Sequence, residues 1–243
     1  MKTYFFDTET TGNTEADYLC QLAIKESGID APIINELYKP RVEIGVASMA
    51  VHHITNKMVE DKPLFQDSDT YKKAKDLFES EENLCVAHNA VFDVDMLKKE
   101  KINPTNIICT LKLSRYLDKD EKIESYRLQY LRYLLDLSIP ENVVAHDAMG
   151  DVIVLEKLYE RILTKFIETE GGEEKAIEKM LEISSTPSLI KTFKFGKYNG
   201  QKVEEIAKTD PGYLSWLLEQ KQNSDQNEED WVYTLRHYLG STD

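Results

Sequence analysis

Apolar residues crowd into short, dense runs at the start of the chain and spread into helical spacing further on. Tyr4-Phe5-Phe6 lies inside a run from Thr3 to Asp7 that ends in the polar turn Thr8-Glu9-Thr10-Thr11-Gly12, which predicts a buried strand entering a loop. Tyr18 to Ile24 and Ile33 to Tyr38 repeat the pattern, so three strands are expected before the first long helical stretch. Leu84 to Ala87 predicts another buried strand. Phe92 to Lys101 and Leu111 to Leu117 then carry helical spacing, and Leu128, Leu131 and Leu135 share one stripe. The strongest helix is expected from about Ala148, where Val152, Leu155, Leu158, Ile162 and Phe166 sustain an apolar face over several turns.

Strands followed by alternating strand and helix predict an α/β domain with helices packed on the faces of its sheet. That domain is expected over residues 1–168. Glu168 to Glu174 is charged and contains Gly171-Gly172, a composition that predicts a flexible linker. A small α+β module is expected over residues 169–243, with a helix near Glu174 to Leu181, a turn through Ser184 to Ser188 and a strand from Thr192 to Phe195.

Composition narrows the function classes. The 243 residues are 41% hydrophobic and 30% charged, with 10 Gly and 7 Pro, which excludes collagen, low-complexity disorder and a coiled-coil rod. No run approaches the roughly 18 apolar residues of a membrane span, and Asp7 cuts short the apolar start, so a cytoplasmic protein with no membrane contact is expected. Cys20, Cys85 and Cys109 are far apart and sit in apolar runs, so buried reduced thiols are expected rather than disulfides or a zinc site. Net charge is −14, which repels a polyanion at long range. Any nucleic-acid role therefore requires bound cations or a local basic patch.

Three acidic clusters supply candidate chemistry. Asp7 and Glu9 stand two apart at the end of a predicted strand and share a face. Alone, such a pair reads better as solvated turn residues. In Ala87-His88-Asn89-Ala90-Val91-Phe92-Asp93 a strand runs into a helix, with Asn89 and Asp93 four apart on one face and Asp95 turned toward solvent. The plainer reading of Asp93 is a first-turn acid facing the helix dipole. In His146-Asp147-Ala148-Met149-Gly150-Asp151, Asp147 is the expected N-cap, with His146 just outside the helix and Asp151 within its first turns. Together they offer four carboxylates from separate segments and one histidine. Four carboxylates can hold two Mg²⁺ or Mn²⁺ ions for phosphodiester hydrolysis, and a histidine can accept a proton from the attacking water.

Phe5-Phe6-Asp7-Thr8-Glu9-Thr10-Thr11-Gly12, Ala87 to Asp93 and His146 to Asp151 resemble, in this order, the three motifs of the DEDDh 3′–5′ exonuclease superfamily. Four residues separate His146 from Asp151, and Asp rather than Tyr stands at position 147, which favours the His branch over the Tyr branch. The resemblance covers residues 1 to about 165 and implies a ribonuclease H-like fold and Mg²⁺-dependent release of mononucleotides from a 3′ end. It further implies Asp7, Glu9, Asp93 and Asp151 as metal ligands, His146 as general base, Thr10, Thr11 and Gly12 as the loop receiving the terminal 3′-OH, and Asn89 as a wall of the nucleotide pocket. His52-His53-Ile54-Thr55 is similar to the family's His-Gly-Ile-Thr segment, with His53 in place of glycine and no role assigned.

Phe193 to Lys202 and Asp210 to Leu218 resemble the small C-terminal module that follows exonuclease X-like catalytic domains. The stretch Lys191 to Lys202 contains Lys194, Lys197 and Lys202 with Phe193, Phe195 and Tyr198 and no acid, the chain's one concentrated basic stretch. Lys194, Lys197, Tyr198 and Lys202 can contact single-stranded nucleic acid by phosphate pairing and stacking. Equally, the rings can fill a small hairpin core beside Trp216 while the lysines are solvated. The expected substrate is DNA rather than RNA, on the strength of the C-terminal resemblance. An exoribonuclease and a proofreading-like accessory of a replication or repair polymerase are the alternatives.

Overall fold

The computed structural model describes residues 1–141, 143, 146–224 and 227–240. Its strands are β1 (Lys2–Thr10), β2 (Leu19–Glu26), β3 (Pro32–Leu37), β4 (Asn83–Ala87) and β5 (Ile107–Cys109). The helices are α1 (Val46–His52), α2 (Asn56–Val59), α3 (Tyr71–Phe78), α4 (Ala90–Lys99), α5 (Thr110–Leu117), α6 (Leu128–Leu134), α7 (Ala148–Glu170), α8 (Glu173–Ser185), α9 (Val203–Thr209), α10 (Pro211–Gln222) and α11 (Glu229–Leu239).

The strands form one mixed sheet in the order β3-β2-β1-β4-β5. β1, β2 and β3 make the expected antiparallel meander, whereas β4 and β5 run parallel to β1 through helical crossovers. Side chains of β1 alternate between two apolar layers. Tyr4 and Phe6 pack with Phe78, Ala90 and Leu97 on the side of α3 and α4, while Phe5 packs with Val152, Leu155 and Tyr159 on the side of α7. Asp7 and Glu9 follow the parity of Phe5. Thr8 follows that of Phe6. Between Glu9 and Thr10 the register with β2 slips by one residue, a bulge that ends regular pairing at the site.

The helix expected from Ala148 is present and runs 23 residues. The expected linker over Glu168 to Glu174 is not there. Gly171 adopts φ 79° and its N–H bonds the Ile167 carbonyl, closing α7 with a left-handed cap. α8 then folds back so that Ala176 and Met180 join the α7 core. The double glycine is thus a turn between packed helices, and the boundary expected at 168 moves to the segment after Ser185. Beyond it, Phe193, Val203, Ile206, Leu214, Leu217 and Leu235 make a separate core. The strand expected at Thr192 to Phe195 reduces to one antiparallel bridge, Thr192 to Lys202, flanked by hairpin-like bonds such as Phe193 N–H to Gln201 O. Phe193 stacks on Trp231, and Trp216 remains exposed. The three cysteines are buried and free. Among the described residues no helix is long and apolar enough to cross a membrane.

α7 is also fixed to the sheet electrostatically. Lys25 Nζ on β2 lies 2.6 Å from Glu156 Oε2, with side chains only 6% and 7% exposed, and Glu156 Oε1 accepts the Gly28 N–H. Removing one partner of a buried pair strands the other charge. Glu156→Ala is therefore expected to cost about 3–5 kcal/mol in urea unfolding. A loss within about 0.5 kcal/mol, the range of an ordinary surface change, would show that α7 docks without this pair.

Candidate active site

The sheet and α7 bring carboxylates together as the β1 parity requires. Asp7 and Glu9 point toward α7, and oxygen atoms of Asp7, Glu9 and Asp151 all lie within 4.8 Å of one another. Asp93 arrives from α4 on the other side of the sheet. Its Oδ1 accepts both the Thr8 N–H at 3.0 Å and the Thr8 hydroxyl at 2.7 Å, so the strand residue between the two acids positions the fourth acid. Asp93 is buried and stands beside the three-carboxylate cluster rather than in it.

Asp151 is held from two directions. Gln129 of α6 donates its amide to Oδ1, and the His146 backbone N–H donates to Oδ2 at 3.2 Å. Asp147 caps α7 as expected, accepting the Gly150 N–H. His146 sits at φ 60° just before that cap, with its side chain exposed.

Burial pushes these acids upward, and neighbouring carboxylates add to it at Asp7 and Glu9. Glu9 rises from 4.5 to about 8, chiefly by desolvation and then through Asp151 and Asp93. Burial takes Asp93 to about 7 against the opposing Thr8 hydrogen bonds. Asp7 is raised well above its ordinary value, by burial first and then by Asp93 and Glu9. Asp151 is also raised by burial. A cluster of hard oxygen ligands that resists ionisation without a compensating charge fits Mg²⁺ or Mn²⁺.

The loop after β1 is pinned by side-chain hydrogen bonds. Thr10 donates its hydroxyl to Gly12 O, and the Thr11 hydroxyl donates to Asp17. A Cβ on Gly12 would stand 2.5 Å from the Asp17 carboxylate and would push it off its bonds to Thr11 and Thr14. His52, which had been given no role, is buried under this loop. Its Nδ1 accepts the Ile54 N–H, which leaves Nε2 to donate to the Thr10 carbonyl at 3.1 Å. His53 ends α1 at φ 61°, the left-handed conformation for which glycine is best suited.

Asn89 does not lie on the helix with Asp93 but precedes it as the N-cap, exposed and at φ 63°. Behind it, His88 bridges the Thr110 hydroxyl and the Tyr126 carbonyl, and burial lowers its pKa to about 4, so it stays neutral. Asn89 and Phe92 line a cleft of about 820 Å³ whose far wall is the α11 end of the C-terminal module.

Lys194, Lys197, Tyr198 and Lys202 are already engaged. Lys197 and the Tyr198 hydroxyl bond Asp210, Lys194 donates to the Ile123 carbonyl, and Lys202 reaches Glu121 and Thr192. Gln129 and Glu121 carried no signal in the sequence because each acts through a partner distant along the chain, and His52 carried only the likeness of its segment to His-Gly-Ile-Thr.

A family model described as exonuclease matches residues 4–159, and one described as exodeoxyribonuclease X-like C-terminal matches residues 193–222. The chain is 35% identical to exodeoxyribonuclease 10 of Escherichia coli K12 over 217 residues, covering 88% of this chain and 89% of that protein. It is 30% identical to the DNA polymerase III subunit epsilon of Buchnera aphidicola subsp. Schizaphis graminum, over 88% of this chain and 95% of that one. A solved structure of exonuclease X in complex with 5′ overhanging duplex DNA superposes with TM-score 0.56 at 28% identity, over 75% of this chain and 99% of that chain.

Carboxylates whose protons are held more tightly in the folded state than in the unfolded chain weaken the fold as pH rises. For Glu9 the window runs from 4.5 to about 8, and for Asp93 from 3.8 to about 7. Without divalent cations the melting temperature is expected to fall across that window, and Mg²⁺ to raise it more at its upper end. Asp7→Asn should flatten the fall, each kcal/mol of relieved repulsion reading as roughly 2–4 °C in a chain of this size. A metal-free melting temperature that climbs across the window would contradict the electrostatics described.

Proposed function

This chain belongs to the exonuclease family, and from that membership we propose that it shortens DNA from the 3′ end, releasing nucleoside monophosphates. The observation that carries the proposal is the convergence of Asp7, Glu9 and Asp151 within 4.8 Å, with Asp93 and His146 alongside. The enzyme is a metal-dependent hydrolase, and two Mg²⁺ or Mn²⁺ ions held by Asp7, Glu9, Asp93 and Asp151 suit its oxygen donors. When bound, such ions stabilise developing negative charge on the phosphoryl group and make a strong nucleophile available at neutral pH.

The chain's own residues do the rest. In this reading the exposed imidazole of His146, whose backbone N–H bonds Asp151, takes the proton of the attacking water. Thr10, Thr11 and Gly12 form a loop held rigid by His52 and Asp17, suited to receive a terminal 3′-OH through its backbone. Asn89, exposed at the N-terminus of the helix that carries Asp93, would line the pocket of the terminal nucleotide.

DNA rather than RNA is supported by the match of the C-terminal residues and by the named activity of exodeoxyribonuclease 10. A second reading, an accessory that works beside a replication or repair polymerase, rests on the similarity to the epsilon subunit. A cytoplasmic location is supported by the three free, buried cysteines.

The test is degradation of 5′-labelled single-stranded DNA and RNA of one sequence, with Mg²⁺, with EDTA and with the Asp7→Ala protein. A metal-dependent ladder shortening from the 3′ end, faster on DNA and absent for Asp7→Ala, is expected. His146→Ala should slow turnover by roughly 10²- to 10⁴-fold with metal binding retained. Faster decay of RNA would make this an exoribonuclease, and no ladder on either polymer would sink the reading.

A further inference from the structure

Between α5 and α6 the chain crosses residues 118–127 without helix or strand. This strap is tied at its start by Asp118, whose carboxylate accepts the Lys122 and Ile123 N–H groups and the Tyr126 hydroxyl. One side of it faces the C-terminal module. Glu121, its side chain 14% exposed and its φ 52°, accepts the Lys191 N–H at 2.9 Å, the Thr192 hydroxyl and Lys202 Nζ. Lys191 Nζ donates to the Lys119 carbonyl and Lys194 Nζ to the Ile123 carbonyl. Asp230 of α11 adds a second grip by pairing with Arg115, whose guanidinium lies 5.9 Å over the Tyr126 ring.

The other side of the strap faces the site. The Tyr126 carbonyl takes the His88 N–H at 2.7 Å, directly before Asn89. Two residues on, α6 begins, and Gln129 in its first turn holds Asp151. Every step from Glu121 to the metal-ligand cluster is thus a hydrogen bond or a few residues of chain.

We propose that the C-terminal module is a positioning element of the active site: by gripping Glu121 it fixes the 118–127 strap, and the strap sets His88 and, through Gln129, the Asp151 carboxylate. The basic stretch that reads from sequence as a nucleic-acid contact serves here as an intramolecular latch. Lysines that meet carbonyls and one half-buried glutamate hold the two cores together. The inference rests on the proposed nuclease reading, because it assigns Asp151 to metal binding.

Full-length wild type, Glu121→Ala, Glu121→Gln and Gln129→Ala would be compared in three measurements: hydrogen exchange over residues 118–131, Mn²⁺ affinity of the metal-free protein by calorimetry, and kcat and KM on single-stranded DNA. Gln129→Ala, which removes a direct support of a ligand, is expected to weaken Mn²⁺ binding roughly 10- to 100-fold. Glu121→Ala, far from any ligand, should speed exchange in the strap and lower both kcat and Mn²⁺ affinity by roughly 2- to 30-fold with KM little changed. Glu121→Gln, which keeps one carbonyl acceptor, should recover part of both. Faster exchange in the strap with wild-type kcat and Mn²⁺ affinity would overturn the proposal, as would unchanged exchange. Wild type that neither binds Mn²⁺ nor cuts DNA would instead overturn the nuclease reading itself.

Discussion

Asp7, Glu9 and Asp151 repel one another, and nearly everything else in the catalytic half of the fold serves to hold them against that repulsion. Like charges gathered in a partly dry site do not stay together by themselves. Two apolar layers keep them there, one carrying Phe6 against α3 and α4, the other carrying Phe5 against α7. The Lys25–Glu156 pair adds a fixed point on α7 one and a half turns beyond Asp151, so the helix cannot slide to separate its acid from those of β1. Hydrogen bonds from Gln129 and the His146 backbone then orient a carboxylate that packing alone would leave free to rotate.

The features legible in the sequence are those whose cause is local. Tyr4-Phe5-Phe6 ending at Asp7 marks β1 because a short apolar run followed by polar turn residues has few other uses. Asp147 before a long apolar stripe marks the start of α7, and its side chain does cap Gly150. The acids were legible as a set because their spacing fits the ends of strands and the first turns of helices. Features that depend on remote partners were not. Gly171-Gly172 has the composition of a linker, yet Ala176 and Met180 have an apolar surface to bury, and a left-handed cap suffices to return the chain onto α7. The lysines from 194 to 202 look free in sequence, since nothing nearby announces that Asp210, Glu121 and the Ile123 carbonyl will meet them.

Positive φ angles gather around the site, at His53, Asn89 and His146, and at Glu121 in the strap. For side chains larger than glycine this conformation carries a cost, and it persists where surrounding contacts over-determine it. At Asn89 the residue type eases the cost, because a short polar side chain tolerates the left-handed region. At His146 the backbone N–H bond to Asp151 holds the residue in place, so the exposed imidazole departs from a fixed point on the carboxylate cluster.

The alternation along β1 has a consequence for how this chain can change over generations. Phe5, Asp7 and Glu9 belong to one layer, and Tyr4, Phe6 and Thr8 to the other. Insertion of a single residue between Phe5 and Phe6 would exchange the layers from that point on, sending both acids toward α4 and the Phe6 ring toward the carboxylate cluster. Substitution can drift here one residue at a time, but length cannot. Insertions and deletions are tolerated more readily elsewhere, for instance in the Ser27 to Ala31 turn between β2 and β3, where no side-chain parity has to be kept.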